Sequence, residues 1–323
     1  MSRTPFTAAI TGATGFIGRH VAADLCARGV AVRAIVRPES RHQAPPGSTV
    51  VRAPLDADAL RDAFSGVDAV VHLAGVVAAV DARTFAVVNA GGTRAVATAA
   101  RDAGARLVHV SSLAAAGPAS RSAPHREDAA PHPVTPYGVS KLDSERIVKG
   151  TEGLRSLILR PGVVYGPTDR AVFPLFQAAM RGVLPLVGRP DAAYTFIYVD
   201  DVVRTIVAAV EKTDAAGTVF VGHAAPVSSM DLLDAIQAAI GRRARVIPVP
   251  MPLTHLAAAS ADLAGRILRK PMPLNLWRYA ELAAEGFVCR VDRMRDELGV
   301  TAEVNLRDGM ARTAAWYREA GWL

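Results

Sequence analysis

Short aliphatic runs alternate with amphipathic stretches along the first half of the chain. The run 69–75 is almost wholly apolar, a pattern typical of a strand buried on both faces of a parallel sheet. Ile17, Val21 and Leu25 repeat every four positions, which predicts a helix. Five such alternations predict an α/β fold, a doubly wound parallel sheet. The predicted strands cover 8–11, 30–36, 49–52, 69–75, 107–110 and 156–160, and the predicted helices cover 15–28, 57–64, 82–103 and 136–149.

The pattern changes after Gly166, where helical and short strand patterns are separated by Pro and Gly. We therefore expect the sheet domain in residues 1–166. Residues 167–323 are expected to form mainly a smaller C-terminal substrate-binding lobe, with some segments returning to the sheet domain. No internal repeat marks a further boundary.

Three local patterns depart from this regular alternation. The Pro-, Ser- and His-rich stretch 117–136 predicts a long loop, of the kind that forms lids or disordered segments. The pair Gly91–Gly92 inside a helix predicts a kink or a close approach to another backbone. Asp200 or Asp201 is expected to be the N-cap of the helix that follows the strand 195–199.

A glycine turn follows the first predicted strand and opens the first helix. Gly12 permits a tight turn, Gly15 a close approach of a pyrophosphate to the backbone, and Gly18 tight packing of the helix on the strand. The helix would direct its free N–H groups and positive dipole end at the phosphates. The turn thus predicts a dinucleotide site, with contacts from Gly12, Thr14, Gly15, Phe16, Ile17 and Gly18.

The end of the second predicted strand bears on which dinucleotide binds. An acid at this position suits the ribose 2′-hydroxyl of NAD, whereas an arginine suits the 2′-phosphate of NADP. Arg37 stands there, and Glu39 follows two residues later as the rival. A guanidinium can hold a phosphate through two hydrogen bonds, which favours NADP(H), with NAD(H) as the alternative.

Composition and charge bear on whether the protein binds nucleic acid and on where in the cell it is located. The net charge of +7 is not accompanied by a recognised nucleic-acid-binding motif, so no nucleic acid is expected as a partner. Residues 1–7 lack the apolar core of a signal peptide, and two cysteines do not make a disulfide framework. We therefore expect a cytoplasmic location. No metal ligands are predicted.

The stretch 252–270 is rich in apolar residues and lies near several arginines. It predicts a helix with two possible roles. The helix either roofs a substrate cleft or associates weakly with a membrane surface.

A tyrosine and a lysine stand four residues apart at the start of a predicted helix. Tyr137 and Lys141 would therefore project from one helical face. Ser112 follows the fifth predicted strand, at the sheet edge where ligands bind in doubly wound folds.

With these motifs assembled, the chain resembles the extended short-chain dehydrogenase/reductase family, whose sheet is of the Rossmann type. The resemblance spans nearly the whole chain and rests on 11–18, 72–75, Asn89, 111–112, 137–141, 159–167 and 196–201.

The resemblance implies a catalytic set of Ser112, Tyr137, Lys141 and Asn89. Tyr137 would be the general acid/base, with its pKa lowered by the Lys141 ammonium and the oxidised nicotinamide. Lys141 would also hold the nicotinamide ribose, and Ser112 would hydrogen-bond the substrate oxygen. Asn89 would position Lys141 through water.

The resemblance also implies cofactor contacts beyond the glycine turn. Asp56 would contact the adenine amino group, and two segments would line the cofactor through their backbones. The residues concerned, besides Tyr137 and Lys141, are Leu55, Asp56, Leu73, Ala74, Gly75, Pro161, Gly162 and Val164.

Two departures from the family's patterns bear on the substrate. Leu113-Ala114-Ala115 replaces the acidic pair of sugar-nucleotide dehydratases, and Tyr194 stands where UDP-sugar epimerases often carry an arginine for the diphosphate. Arg189 or Arg278 would have to take over that contact. The pattern is most similar to the 3β-hydroxysteroid dehydrogenase and dihydroflavonol reductase branches.

These comparisons predict an NAD(P)-dependent oxidoreductase. It would transfer a hydride between nicotinamide and an alcohol or ketone carbon of a bulky, largely apolar small-molecule substrate. The alternatives are a nucleotide-sugar epimerase and a non-catalytic NAD(P) sensor. A homodimer through the helices that contain Asn89 and Tyr137 is also expected from the resemblance.

Overall fold

The computed structural model describes residues 6–323. The first residues of the chain, on which the prediction of no signal peptide partly rests, lie outside the described residues. The strands are β1 (Thr7–Thr11), β2 (Ala31–Val36), β3 (Thr49–Arg52), β4 (Ala69–His72), β5 (Arg106–Val110), β6 (Ser156–Pro161), β7 (Val163–Tyr165), β8 (Val183–Val187), β9 (Ala193–Tyr194), β10 (Phe196–Tyr198), β11 (Gly217–Val221), β12 (Val227–Ser228), β13 (Arg245–Val249) and β14 (Gly286–Phe287). The helices are α1 (Phe16–Ala27), α2 (Ala57–Ala63), α3 (Ala82–Phe85), α4 (Gly92–Asp102), α5 (Pro136–Lys149), α6 (Phe173–Met180), α7 (Val199–Glu211), α8 (Ser229–Ile240), α9 (Met251–Leu268), α10 (Leu276–Ala283), α11 (Asp292–Leu298) and α12 (Leu306–Glu319).

Within residues 6–323, β1 to β6 and β11 form a seven-stranded parallel sheet in the order β3-β2-β1-β4-β5-β6-β11. The chain winds outward from β1 to β3 and then returns to place β4 on the other side of β1. This reversal creates a topological switch point at the carboxyl ends of β1 and β4, where doubly wound sheets bind ligands. The predicted fold class is confirmed.

Side chains alternate between two cores on the opposite faces of the sheet. Ala8 and Ile10 of β1 belong to the core on one face, which also contains Val21 of α1. Ala9 belongs to the core on the other face, beneath α2 and α4. Because both faces are covered, the central strands β1, β4 and β5 are buried along nearly their whole length, as the sequence pattern predicted.

The long helix predicted over 82–103 is interrupted in its middle. A π-helical turn at Ala86–Gly91 joins α3 to α4, and it carries Asn89. A Cβ at Gly92 would lie 3.0 Å from Cδ1 of Leu55, a predicted cofactor contact. The glycine pair therefore marks both an irregular turn and a close approach, although the neighbour is a side chain and not a backbone.

After residue 166 most strands belong to small sheets of two or three strands, and α7 packs against α1 on one face of the main sheet. β8 pairs with β13, β9 with β12 and β14, and β10 with β7. One segment, β11, joins the main sheet beside β6. The loop 117–136 is fixed against the β14 region by bridges from Ala119 to Phe287 and from His125 to Cys289.

The prediction that Asp200 or Asp201 caps α7 is wrong. Tyr198 is the N-cap residue, and both aspartates lie within the first turn of the helix. The buried Asp201 carboxylate instead accepts hydrogen bonds from the backbone N–H groups of Glu303 and Val304, at 3.1 and 3.0 Å. Asp201 therefore connects α7 to the segment that precedes α12.

Candidate active site

The glycine turn lies between β1 and α1 at the switch point. Gly12 has a φ of +75°, and a Cβ there would lie 2.7 Å from the backbone nitrogen of Ala74. A Cβ at Gly18 would lie 2.2 Å from the carbonyl oxygen of Gly12, so only glycine permits this packing. Thr14 lies in the turn, and Phe16 and Ile17 begin α1.

The N-terminus of α1 suits an anion. Its N-cap residue is Gly15, which has no side chain to cap the helix, and its first turn carries no acidic residue. The first N–H groups of the helix are therefore available to a phosphate, together with the positive end of the dipole. These features fit the pyrophosphate of NAD(P).

The segment after β4 lies against this turn. The N–H of Leu73 donates to the carbonyl oxygen of Thr11 at 3.1 Å, and Ala74 contacts Gly12. A Cβ at Gly75 would lie 2.9 Å from Oδ1 of Asn89. Leu73–Gly75 therefore lies between the nucleotide turn and the predicted catalytic residues.

Asp56 and Arg37, the two residues predicted to contact the adenosine part of the cofactor, lie on loops at the carboxyl edge of the main sheet. Oδ1 of Asp56 caps α2 by accepting hydrogen bonds from the N–H groups of Asp58 and Ala59, at 3.1 and 3.3 Å. Arg37 directly follows β2, its side chain is 71% exposed, and Nη1 lies 3.6 Å from Oε1 of Glu39. The predicted cation and its rival acid therefore form one exposed ion pair.

Tyr137 and Lys141 lie on the first turns of α5. Oγ1 of Thr135 caps this helix by accepting a hydrogen bond from the N–H of Gly138 at 3.1 Å. The buried Lys141 ammonium donates to the carbonyl oxygen of Val110 at 2.8 Å. This contact fixes α5 to the end of β5.

Ser112 lies two residues beyond β5 and lines the same cavity as Tyr137. Its Oγ accepts a hydrogen bond from the N–H of Ala114 at 3.2 Å, which fixes the serine just beyond the carboxyl end of β5. The hydroxyl groups of Ser112 and Tyr137 are thus brought to one site, as predicted.

The surrounding side chains act on the pKa of Tyr137 in both directions. Burial raises the pKa of the phenol, the hydrogen bond with Ser112 acts in the opposite direction, and the charge of Glu281 raises it further. The net effect within the chain is a raised pKa, so Tyr137 is protonated at neutral pH. That Lys141 and the oxidised nicotinamide together lower this pKa stays a prediction.

Burial has the converse effect on Lys141. It lowers the pKa of the ammonium to about 8, and the charge of Glu145 partly counteracts it. The lysine is therefore mostly charged at neutral pH and loses its proton as the pH rises through about 8.

Asn89 connects the segment after β4 to α5. Its Oδ1 accepts from the N–H of Val76 at 2.8 Å, and its Nδ2 donates to the Val76 carbonyl at 3.1 Å. Nδ2 also donates to Oγ of Ser140 at 2.9 Å, one residue before Lys141. Asn89 thus acts through direct contacts, and the predicted water link to Lys141 stays a prediction.

A buried ion pair beneath the site was missed by sequence reasoning. Nε and Nη2 of Arg160 donate to the two carboxylate oxygens of Glu145 at 2.8 and 2.6 Å, and Ser111 Oγ donates to Oε1 at 2.6 Å. The side chains are only 4% and 1% exposed. The available signals were an arginine at the end of an apolar strand and a glutamate one helical turn after Lys141.

Two histidines lie close to Lys141 in the sheet. His72 contacts Thr11 Oγ1 through Nδ1 at 2.7 Å and Thr93 Oγ1 through Nε2 at 3.0 Å, and its ring centroid lies 5.2 Å from that of His109. Burial and the charge of Lys141 lower the pKa of His72 to about 3. The imidazole stays neutral and adds no positive charge beside the lysine.

A cavity of about 400 Å³ opens in front of Ser112 and Tyr137. Pro161 and Gly162 line it, whereas Val164 lies beyond them in β7. A Cβ at Gly162 would lie 2.1 Å from the carbonyl oxygen of Thr195, so glycine is required there. Most of the remaining lining is apolar, and includes Leu113, Val163, Val172, Leu175, Leu186, Val187, Phe196, Leu232, Leu233 and Phe287.

The two arginines that were considered as diphosphate ligands are both paired with acids. Arg278 lines the cavity, and its Nη1 lies 2.9 Å from Oε2 of Glu281, which also lines it. Arg189 lies 3.1 Å from Asp191. Tyr194 occupies the lining position where an arginine would be expected in UDP-sugar epimerases.

Comparisons with known proteins agree with this geometry. Residues 8–222 match the model of the NAD dependent epimerase/dehydratase family. The chain is 32% identical to the ceramide reductase of Caulobacter vibrioides over 98% of this chain and 95% of the relative. It is 30% identical to sterol demethylase protein B of Methylococcus capsulatus over 98% and 100% of the two chains. A solved structure of MoeE5 in complex with UDP-glucose and NAD is similar with a TM-score of 0.79 and 25% identity, over 97% of this chain and 99% of that one.

Proposed function

Because the chain belongs to the NAD dependent epimerase/dehydratase family, we propose that it is an NADP(H)-dependent oxidoreductase acting on a bulky, largely apolar alcohol or ketone. One observation carries the proposal. The cavity that contains the Ser112 and Tyr137 hydroxyls is lined mainly by aliphatic and aromatic side chains, and its arginine is already paired with Glu281.

The proposed cofactor site extends along the carboxyl edge of the sheet. The pyrophosphate would bind the glycine turn at Gly12–Gly18, the nicotinamide end would approach Leu73–Gly75, and Arg37 would bind the 2′-phosphate. When bound, the cofactor supplies the hydride for carbonyl reduction or accepts it in the reverse direction.

The side chains at the cavity would handle the proton and the substrate oxygen. The buried Tyr137 holds its proton at neutral pH and would donate it to the carbonyl oxygen during reduction. The Ser112 hydroxyl would donate a hydrogen bond to the same oxygen as negative charge develops there. Lys141, through the Val110 contact, and Asn89, through Ser140, would keep α5 in place.

The apolar cavity supports a substrate without a charged diphosphate. Two phosphate charges would need cations, yet the described lining of the cavity holds one arginine, Arg278, and it lies beside the carboxylate of Glu281 within the same cavity. Two similar proteins are named a ceramide reductase and a sterol demethylase protein. We therefore propose a lipid-like or sterol-like ketone as the substrate class.

The test is a substrate panel at fixed NADPH. Long-chain keto lipids, 3-ketosteroids, flavanones, small ketones and UDP-sugars would be compared by the loss of NADPH absorbance and by mass spectrometry of the products. We expect turnover with one of the large apolar ketones and little with small ketones. Turnover confined to UDP-sugars would overturn the proposal.

The similarity to MoeE5, solved with UDP-glucose and NAD, makes a nucleotide-sugar epimerase the second candidate. An epimerase would interconvert UDP-sugars with no net consumption of cofactor. Proton NMR of UDP-sugars incubated with the enzyme and catalytic NAD would detect this reaction. We expect no interconversion, because the described lining of the cavity offers two phosphates only one arginine, Arg278, beside the acid Glu281.

We also propose a reducing, cytoplasmic location. Cys26 and Cys289, the two cysteines of the sequence, are both free thiols in the structure. Free cysteines without a disulfide framework suit a compartment that keeps thiols reduced.

A further inference from the structure

Helix α9 presents a row of large aliphatic side chains to solvent. Each has 57–73% of its surface exposed, and they recur at intervals that keep them on one side of the 18-residue helix. The row consists of Leu253, Leu256, Leu263, Ile267 and Leu268. An apolar strip of this kind marks an interaction site in soluble folds. We call it the outer face of α9.

The opposite side of α9 fixes the helix to the protein. Thr254, Ala258 and Gly265 are buried, and His255 packs edge-on against Tyr279 of α10 with ring centroids 4.9 Å apart. A Cβ at Gly265 would lie 2.9 Å from the carbonyl oxygen of Lys270, so the end of the helix is tightly folded. The outer face is therefore held in a fixed orientation.

Charge around the outer face is positive. Positions 257, 260 and 264 on the same side are Ala, Ser and Ala, so this side carries no carboxylate. Asp262 is only 13% exposed and is paired with Arg266 at 2.8 Å. Arg269 and Lys270 follow the last leucine, and both are exposed.

We propose that the outer face of α9 binds the surface of an anionic lipid bilayer. The helix would lie in the plane of the interface with its leucines among the upper acyl chains and its cations among the headgroups. Within residues 6–323, no helix has the length and hydropathy needed to cross a bilayer, so surface attachment is the mode that α9 fits.

The composition of this face favours lipid over a protein partner. Protein interfaces are enriched in aromatic residues and arginine at their centre, with polar groups around the rim. The outer face offers aliphatic side chains alone, with cations at one end. Leucines beside Arg and Lys match acyl chains beside anionic headgroups.

The position of α9 connects this surface to the cavity. Arg278, Glu281 and Leu282 of α10 line the cavity, and α10 packs against α9. Docking would bring the cavity wall formed by α10 close to a bilayer that holds apolar molecules. This last step rests on the proposed function, whereas the docking itself does not.

The test is flotation of the full-length protein with vesicles of phosphatidylcholine alone or with about one-third phosphatidylglycerol. We expect binding to the anionic vesicles that weakens as salt rises, because salt screens the headgroup attraction. Leu256→Gln/Leu263→Gln should reduce the partition coefficient at least about tenfold, since two exposed leucines no longer enter the interface. Arg269→Gln/Lys270→Gln should reduce binding to the anionic vesicles and leave binding to the pure phosphatidylcholine vesicles unchanged.

The matched control is Val50→Gln, because Val50 is an aliphatic residue 48% exposed on the edge strand β3. It should bind vesicles like the wild type, and all variants should keep the wild-type melting temperature. Failure of the wild type to bind anionic vesicles would overturn the proposal, as would equal binding by the leucine variant. A dimer that dissociates on Leu256→Gln/Leu263→Gln without vesicle binding would assign the face to a second copy. None of these outcomes depends on which ketone is reduced.

Discussion

Burial of Tyr137 bears on the acid role that we propose for it. The phenol lies in an apolar cavity, so its neutral form is favoured and its pKa is raised. A protonated tyrosine is an acid, and carbonyl reduction consumes a proton at the substrate oxygen. The residue is therefore suited to the reductive direction of the proposed reaction.

Tyr137→Phe removes the proton donor while keeping the ring. We expect kcat to fall about 10²- to 10⁴-fold, the usual contribution of a positioned acid. NADPH affinity, measured by fluorescence titration, should change less than about threefold, because the glycine turn is untouched. Turnover that survived this change would reassign the acid, and a wild type with no turnover on any substrate would favour the sensor alternative.

Arg37 and Glu39 are the two candidates for the contact that would distinguish NADP from NAD, and they form one exposed ion pair. Arg37→Ala should raise the KM for NADPH about 10- to 100-fold and leave that for NADH nearly unchanged, because a charge-assisted contact to the 2′-phosphate is lost. Glu39→Ala should lower the KM for NADPH, since the exposed ion pair at 3.6 Å is released. If Glu39→Ala instead weakened NADH binding and Arg37→Ala affected both cofactors equally, the enzyme would be NAD-dependent.

Lys141 gives the site a pH limit. Its pKa is lowered to about 8, so the ammonium is lost as the pH rises through that value, and kcat/KM should fall on this alkaline limb. Glu145→Gln removes the charge that raises this pKa, so the limb should move to lower pH. Asp143→Asn, an exposed carboxylate paired with Arg146 on the same helix, is the control and should leave the limb in place. An unmoved limb in Glu145→Gln would exclude Lys141 as its source.

At the scale of elements, the sequence predicted those strands and helices whose structure follows from their own residues. The strands β1 to β6 and the helices between them could be predicted because each carries its own hydrophobic periodicity. After residue 166, β10 falls within the strand predicted over 195–199. The strands β9 and β14 could not be predicted, since they are two residues long and exist only through their partners. The Glu145–Arg160 pair also escaped prediction, because its members lie on a helix and a strand that only the fold brings together.

Asp201 is the clearest element-scale correction and leads to a test. Its buried carboxylate holds the N–H groups of Glu303 and Val304 and pairs with Arg204. Asp201→Ala should lower the free energy of unfolding by about 3–5 kcal/mol, because these partners are left without an acceptor. The neighbouring Asp200 is exposed, so Asp200→Ala should cost less than about 0.5 kcal/mol. Urea unfolding measures both, and equal losses would mean that the carboxylate contributes only through the helix dipole.

At the scale of the whole molecule, the cofactor edge, the cavity and the outer face of α9 follow one another across the fold. The glycine turn lies at the switch point between β1 and β4, and Tyr137 on α5 lies near the end of β5. Residues of α10 line the cavity, and α10 packs against α9. The helices α4 and α5 pack on each other at another surface. The surface that these two helices form is the one at which the resemblance predicts a second subunit.

The expected homodimer would use that surface. Val87, on the π-helical turn before α4, and Val139, on α5, are 60% and 44% exposed, and both belong to the helical segments predicted to associate. Val87→Glu/Val139→Glu should convert a dimer to a monomer, because two charges would be buried without partners at the interface. Light scattering after size exclusion measures the mass, and Val50→Glu on β3 serves as the control. If the wild type is a monomer, or if the variant stays dimeric, the prediction fails; a dimer sensitive only to Leu256→Gln/Leu263→Gln would move the interface to α9.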